Sequence, residues 1–150
     1  MPLQLISPIY KTFILEDTDV KYKVEDGENT TVTIKQAAQF EHEQRQDLFS
    51  VLERKYKELT PDEITLVQRI SMEELKRLET YLTLVECNIK DVEGKELFPS
   101  KKAKGKEPVL AMRRDAFEHA WGSLPPDVCI EIHGKVLEVN KLWAGLAGED

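Results

Sequence analysis

Ser71-Met72-Glu73-Glu74-Leu75-Lys76-Arg77-Leu78-Glu79-Thr80-Tyr81-Leu82-Thr83-Leu84-Val85-Glu86-Cys87-Asn88-Ile89 is the stretch that decides the fold class. Leu75, Leu78, Leu82, Val85 and Ile89 recur at spacings of three and four, so they fall along one side of a helix of about five turns. Ser71 followed by Glu74 has the form of a capping box at its start. A few residues upstream, Thr60-Pro61-Asp62-Glu63 carries the same signal more strongly. The threonine can cap a free amide, proline suits the first helical position, and Glu63 can reach back. Two helices are therefore expected, a short one on Ile64, Val67 and Ile70 and a longer one from Ser71 to Ile89.

Working toward the N-terminus, residues 35–59 place Ala37, Phe40, Leu48, Leu52, Tyr56 and Leu59 at helical intervals. Glu41, Gln44 and Arg45 dilute that stripe. Before it the pattern changes to β. Ile9-Tyr10-Lys11-Thr12-Phe13-Ile14-Leu15 is rich in β-branched and aromatic residues, and Val20-Lys21-Tyr22-Lys23-Val24 alternates apolar with charged. Asp26-Gly27 supplies a turn, and Thr30-Thr31-Val32-Thr33-Ile34 can return as a partner strand. A hairpin or a three-stranded antiparallel sheet is expected.

Toward the C-terminus, residues 90–98 form a small hairpin around Glu93-Gly94. The lysine-rich run 99–108, almost without apolar content, reads as a mobile surface loop. Ala116, Phe117, Ala120 and Trp121 make a helical patch closed by Gly122. Leu124-Pro125-Pro126-Asp127 opens a last helix that carries Val128, Ile132, Val136, Val139 and Trp143 on one face. The expected architecture is mainly α with a small N-terminal antiparallel β element, one compact multi-helix α+β domain over 1–150. Its parts are β structure at 1–34, helices at 35–90, hairpin and loop at 91–111, C-terminal helices at 112–143 and a flexible tail at 144–150.

Composition bounds the function. A chain of 150 residues with 41% apolar and 33% charged side chains suits one domain that needs no metal or disulfide to fold. Its 28 acidic against 21 basic side chains give a net charge of −7, which opposes whole-surface binding to nucleic acid or anionic membrane. Cys87 and Cys129 are the two cysteines. With no secretory signal ahead of them and no run near the roughly 18 apolar residues of a span, a cytoplasmic protein outside the membrane is expected.

No arrangement of residues demands chemistry. Cys129 and His133 lie four apart and could share an ion with His119, but no second close-spaced pair exists, and cysteine among Val128 and Ile130 reads as a small buried hydrophobe. Cys87 has Glu86 beside it, which disfavours a thiolate. Nucleophile elbows, phosphate-binding loops, dinucleotide glycine patterns and zincin motifs are absent. The carboxylate pairs Glu73/Glu74 and Asp62/Glu63 are explained by helix N-termini. No enzyme, cofactor or metal is expected. The diluted helix suggests instead a partner-binding face with Phe40, Phe49 and Tyr56, and Trp143 is a further anchor candidate although its apolar face suits a core. Lys101, Lys102, Lys104 and Lys106 form a basic loop without aromatics to stack bases, so nucleic acid is disfavoured.

Glu79-Thr80-Tyr81-Leu82-Thr83-Leu84-Val85-Glu86, Gly94-Lys95-Glu96-Leu97-Phe98, Phe117-Glu118-His119-Ala120-Trp121-Gly122-Ser123-Leu124-Pro125 and Ile132-His133-Gly134-Lys135-Val136-Leu137-Glu138-Val139-Asn140 follow one another in the C-terminal half. This succession, over roughly residues 70 to 143, resembles the tail assembly chaperones of long-tailed bacteriophages and prophages. The resemblance implies a non-enzymatic protein of the bacterial host cytoplasm that binds the tape measure protein, and in some cases tail tube subunits, during tail assembly. It assigns no role to an individual residue. A structural component of the tail or head–tail junction, and a small regulatory or inhibitor protein acting through the basic loop, are the alternatives. Homo-oligomerisation stays open.

Overall fold

The computed structural model describes residues 9–56 and 59–146. At 49, 52–56, 62, 64–71 and 145–146 only the backbone is described. The strands and helices in chain order are β1 (Tyr10–Ile14), α1 (Glu16–Tyr22), β2 (Thr31–Lys35), α2 (Gln39–Tyr56), α3 (Pro61–Thr83) and β3 (Leu84–Cys87). They continue with β4 (Ser100–Lys101), β5 (Val109–Leu110), α4 (Arg114–Gly122), α5 (Pro126–Val139) and α6 (Lys141–Leu146). About half the chain is helical, around one three-stranded antiparallel sheet of order β1-β2-β3. The α+β class expected from sequence holds.

β2 is the central strand, paired to β1 on one side and to β3 on the other, with an irregularity between Thr33 and Ile34. Its period-two pattern sends Val32 and Ile34 into the core, where they are 1% and 0% exposed. Leu78 and Leu82 of α3, and Val128, Ile132 and Val136 of α5, pack in the same cluster. Beside it Phe117 stands with its ring centroid 5.4 Å from Phe98 and 5.9 Å from Trp121.

The third strand is not the one expected. Residues 20–24 end a helix and enter a turn, and Val20 and Val24 are 90% and 72% exposed, so their alternation never meets a core. The cause is tertiary. Glu131 of α5 accepts the Asp17 and Thr18 amides at 3.0 and 2.9 Å and the Thr18 hydroxyl at 2.6 Å, capping α1 from 113 residues away. Asp19 accepts the Thr30 amide at 3.0 Å, which fixes the return into β2.

The vacant edge of β2 is taken by β3. The amphipathic pattern from Leu75 to Ile89 suggested a helix throughout, but the helix stops at Thr83. Thr80 and Thr83 donate their hydroxyls to the carbonyls of Lys76 and Glu79, which weakens a helix end, and Leu84-Val85 suit a strand. At its other end α3 starts as expected, with Thr60 Oγ1 accepting the Glu63 amide at 3.3 Å and Pro61 in the first turn. The second start signal at Ser71 lies inside α3, whose backbone runs on as one helix of 23 residues. The side chains of Ile64, Val67 and Ile70 lie outside the described residues.

The hairpin around Gly94 is present, with φ of 83° at Gly94 and a bridge between Lys90 and Glu96. The lysine-rich run is ordered further than expected, since β4 at its start pairs with β5 just beyond its end and Gly105 turns the tip at φ 77°. Trp143 sits on α6 rather than α5. Asn140 breaks the helix at φ −113° and ψ 66°, and its amide group accepts the Ala37 N–H at 2.7 Å while donating to the Lys35 and Val136 carbonyls. The tail from 147 on lies outside the described residues.

Candidate functional site

Two features stand out, a buried polar knot and an open groove. The knot begins on α2. Instead of the Phe40 stripe, α2 turns Glu41 and Arg45 inward, 4% and 0% exposed, and leaves Phe40 61% exposed. Glu41 accepts the Ala38 amide at 2.8 Å and pairs with Lys35 at 2.5 Å, closing the helix start. One turn on, Arg45 Nε donates to Glu79 Oε2 of α3 at 2.6 Å. The other oxygen of Glu79 faces His133 Nε2 of α5 at 2.6 Å. The Arg45 guanidinium stacks 5.3 Å from the Trp143 ring centre, and Trp143 Nε1 donates to His42 Nδ1 at 3.0 Å.

The knot therefore fastens α2, α3 and α5 through one carboxylate, and α6 joins it through Trp143. It is sealed from solvent, and a buried ion pair of this kind adds little net stability while being costly to break.

The groove opens on another side, between α1 with its following turn, the chain after β3, and the α4–α5 junction, with a volume of about 880 Å³. Val24, Ile89, Val92, Leu97, Leu124 and Val128 make its walls apolar, and Lys23, Glu28, Lys90 and Asp91 stand among them. Val92 projects fully into solvent. The wall under Val24 depends on the turn at Asp26-Gly27. Asp26 takes φ 65°, which aspartate tolerates, and a Cβ on Gly27 would meet Val24 Cγ2 at 2.9 Å. α1 is held beside the groove by Glu131 and by Asp127, which accepts from Lys21 Nζ at 2.9 Å and from the Tyr22 hydroxyl at 3.0 Å. The hydrogen bond from Lys21 holds the Asp127 carboxyl below its usual range and raises the lysine in turn.

The candidates drawn from sequence do not converge here. Trp143 is 2% exposed, so the core role that its apolar face suggested is the place it takes. The side chains of Phe49 and Tyr56 lie outside the described residues. Lys101, Lys102, Lys104 and Lys106 are exposed on the β4–β5 hairpin, and none of them is in an ion pair among the described residues. Cys129 and His133 diverge, the thiol toward the Trp121 carbonyl at 3.6 Å and the ring toward Glu79. Among the described residues no three His, Cys, Asp or Glu side chains gather closely enough to hold a metal ion. Burial pushes the Cys87 thiol up to about 12 and that of Cys129 to about 11, so both stay protonated at neutral pH.

No helix among the described residues is long and apolar enough to cross a membrane. No family model matches this chain, and no curated protein or solved structure matches it.

Proposed function

We propose that this chain is a non-enzymatic binding protein that acts as a tail assembly chaperone of a long-tailed phage or prophage, holding an apolar helical segment of the tape measure protein. The observation that carries the reading is the groove, with apolar walls, charged residues at its margin and Val24 and Val92 turned to solvent. An amphipathic helix presents the complementary pattern, an apolar stripe flanked by charge. The reading is also supported by the protonated thiols and by the enclosure of His133 with Glu79, which leave no activated nucleophile or exposed acid–base pair at those positions. The resemblance of the C-terminal half supplies the partner's identity.

Co-expression with a tape measure protein of a long-tailed phage, followed by a pull-down, tests the proposal. The wild type is expected to keep the tape measure protein soluble. Val92→Asp, at a fully exposed side chain, is expected to abolish capture while leaving the fold intact. Capture that survives Val92→Asp together with Val24→Asp removes the groove from the reading. Recovery of the chain from purified virions at fixed copy number favours a structural component instead. The unpaired lysines of the β4–β5 hairpin favour one further reading, a regulatory protein that grips an acidic partner. Salt-sensitive binding lost on replacing all four would select it.

A further inference from the structure

Among the described residues β1 is an open edge strand of the three-stranded sheet. Leu15 N–H donates to the Thr30 carbonyl and Gln36 N–H to the Ile9 carbonyl, both at 2.8 Å. With the register Tyr10↔Lys35 to Ile14↔Thr31, odd-numbered residues of β1 bond to β2. Tyr10, Thr12 and Ile14 therefore turn their N–H and C=O groups away from the sheet, and no described residue bonds to those groups. An edge of this kind is a template for another strand.

The sequence of β1 says which strand fits. We propose that β1 pairs with β1 of a second copy of this chain, antiparallel and centred on Thr12, to join two sheets into one of six strands. Around a two-fold axis at Thr12, Tyr10 stands opposite Ile14 of the second copy and Ile14 opposite its Tyr10. Thr12 meets Thr12, and the outward groups exchange about six hydrogen bonds. Tyr10 and Ile14 share the outer face with Thr12, whose hydroxyl is 2.8 Å from that of Thr33, and Ile14 is 46% exposed in the single chain. Aromatic and β-branched side chains directly opposite are among the favourable cross-strand pairs.

The inner face selects the same register. Lys11 lies 5.1 Å over the Phe13 ring of its own chain. In the Thr12-centred pairing each Lys11 stands opposite the second copy's Phe13, so the cation again meets an aromatic face. A parallel pairing in register would set Lys11 against Lys11, and slipping by one residue would mismatch the outward groups. The lysine that guards this edge against other strands thus admits its own copy. Five residues a side form a contact below the ~1,200 Å² of a standard interface, so a weak and reversible dimer is expected.

Sedimentation equilibrium of the purified full chain from about 5 to 500 μM reads this directly, since the range covers weak, micromolar association. The expected result is reversible dimerisation, weakened at least about tenfold by Thr12→Pro, which removes an outward donor that β2 does not use. Circular dichroism checks that this variant keeps its fold. A second arm needs no unfolding-prone change. Thr12→Cys places two thiols across the axis at a Cα separation of about 5.5 Å, within disulfide reach. It is expected to cross-link under mild oxidation much faster than Thr33→Cys, one strand inward on the same face. A chain that stays monomeric throughout, a dimer that Thr12→Pro leaves intact, or equal cross-linking of the two cysteine variants overturns the proposal.

Discussion

Glu79 is the point at which the fold is most exposed to a single change. Its carboxylate is 1% exposed and joins Arg45, 0% exposed, to His133 across three helices. With charge centres about 4 Å apart in an effective dielectric of about 20, the Arg45–Glu79 attraction is about 4 kcal/mol, set against the desolvation of both groups. The net value of the pair is therefore small, but the cost of breaking it is not. Glu79→Gln keeps the shape and one acceptor while deleting the charge beside a buried guanidinium, and should cost about 3 kcal/mol, at the lower end for a broken buried pair. In urea that is a midpoint shift of about 1.5 M for a slope near 2 kcal/mol/M. Arg45→Met should cost a similar amount, because it leaves a buried carboxylate with only His133 beside it. The double variant should recover about 2 kcal/mol of the sum, the coupling expected for groups in direct contact. Equilibrium urea unfolding of the four proteins measures the cycle. Additivity within about 0.5 kcal/mol would refute the idea that Glu79 and Arg45 act as one unit.

Three other outcomes follow from the geometry around α1 and the thiols. Glu131→Ala removes the cap on the Asp17 and Thr18 amides; a loss of about 0.5–2 kcal/mol in urea unfolding is expected, together with faster amide exchange confined to α1. The Asp127 carboxyl is depressed by its bond from Lys21, so its contribution is present above the ordinary carboxyl range and is lost as pH falls through the depressed value. A melting-temperature gap between wild type and Asp127→Asn should accordingly be seen at neutral pH and close in acid; a gap that widens in acid would contradict the assigned pair. With its thiol raised to about 11, Cys129 is thiolate in only roughly one molecule in a thousand at pH 8, and Cys87, raised to about 12, in fewer still. Alkylation of the native chain should be much slower than in urea, with Cys129 reacting before Cys87.

The elements read correctly from sequence are those whose causes are local. Thr60-Pro61 starts α3 with its own hydroxyl, Gly94 turns where positive φ is required, and Pro126 opens α5. The elements read wrongly have causes far along the chain. Residues 20–24 alternate like a strand, yet the segment is helical up to Tyr22 because a carboxylate more than a hundred residues away satisfies its first amides. Val85 and Ile89 continue a helical stripe, yet Leu84–Cys87 extend because β2 offers an unfilled edge. The site was hidden for the same reason. Val24, Val92 and Leu124 come from three segments that look like strand, hairpin and linker, and only the tertiary fold brings them to one groove. The knot left a fainter trace. Glu41 and Arg45 lie four apart in the diluted stripe of α2, a hint that this helix buries charge, but nothing in the sequence pairs Arg45 with Glu79.

α5 ties these observations together, because it is used on three sides at once. Val128, Ile132 and Val136 repeat at four and face the sheet. Asp127 and Glu131, also four apart and one position earlier, face α1. His133, one position after Ile132, faces Glu79, and Asn140 at the end of the helix holds the junction between β2 and α2. With 3.6 residues per turn these stripes leave a narrow free face, where Ile130 is 65% exposed and Gly134 is open. A helix shared in this way couples the groove to the knot. Rotating α5 to relieve the loss of Glu79 would carry Asp127 and Glu131 with it and move the groove wall. If the groove binds a partner as proposed, Glu79→Gln should therefore weaken capture at a groove that it does not touch, whereas a substitution at Ile130 should change neither stability nor capture.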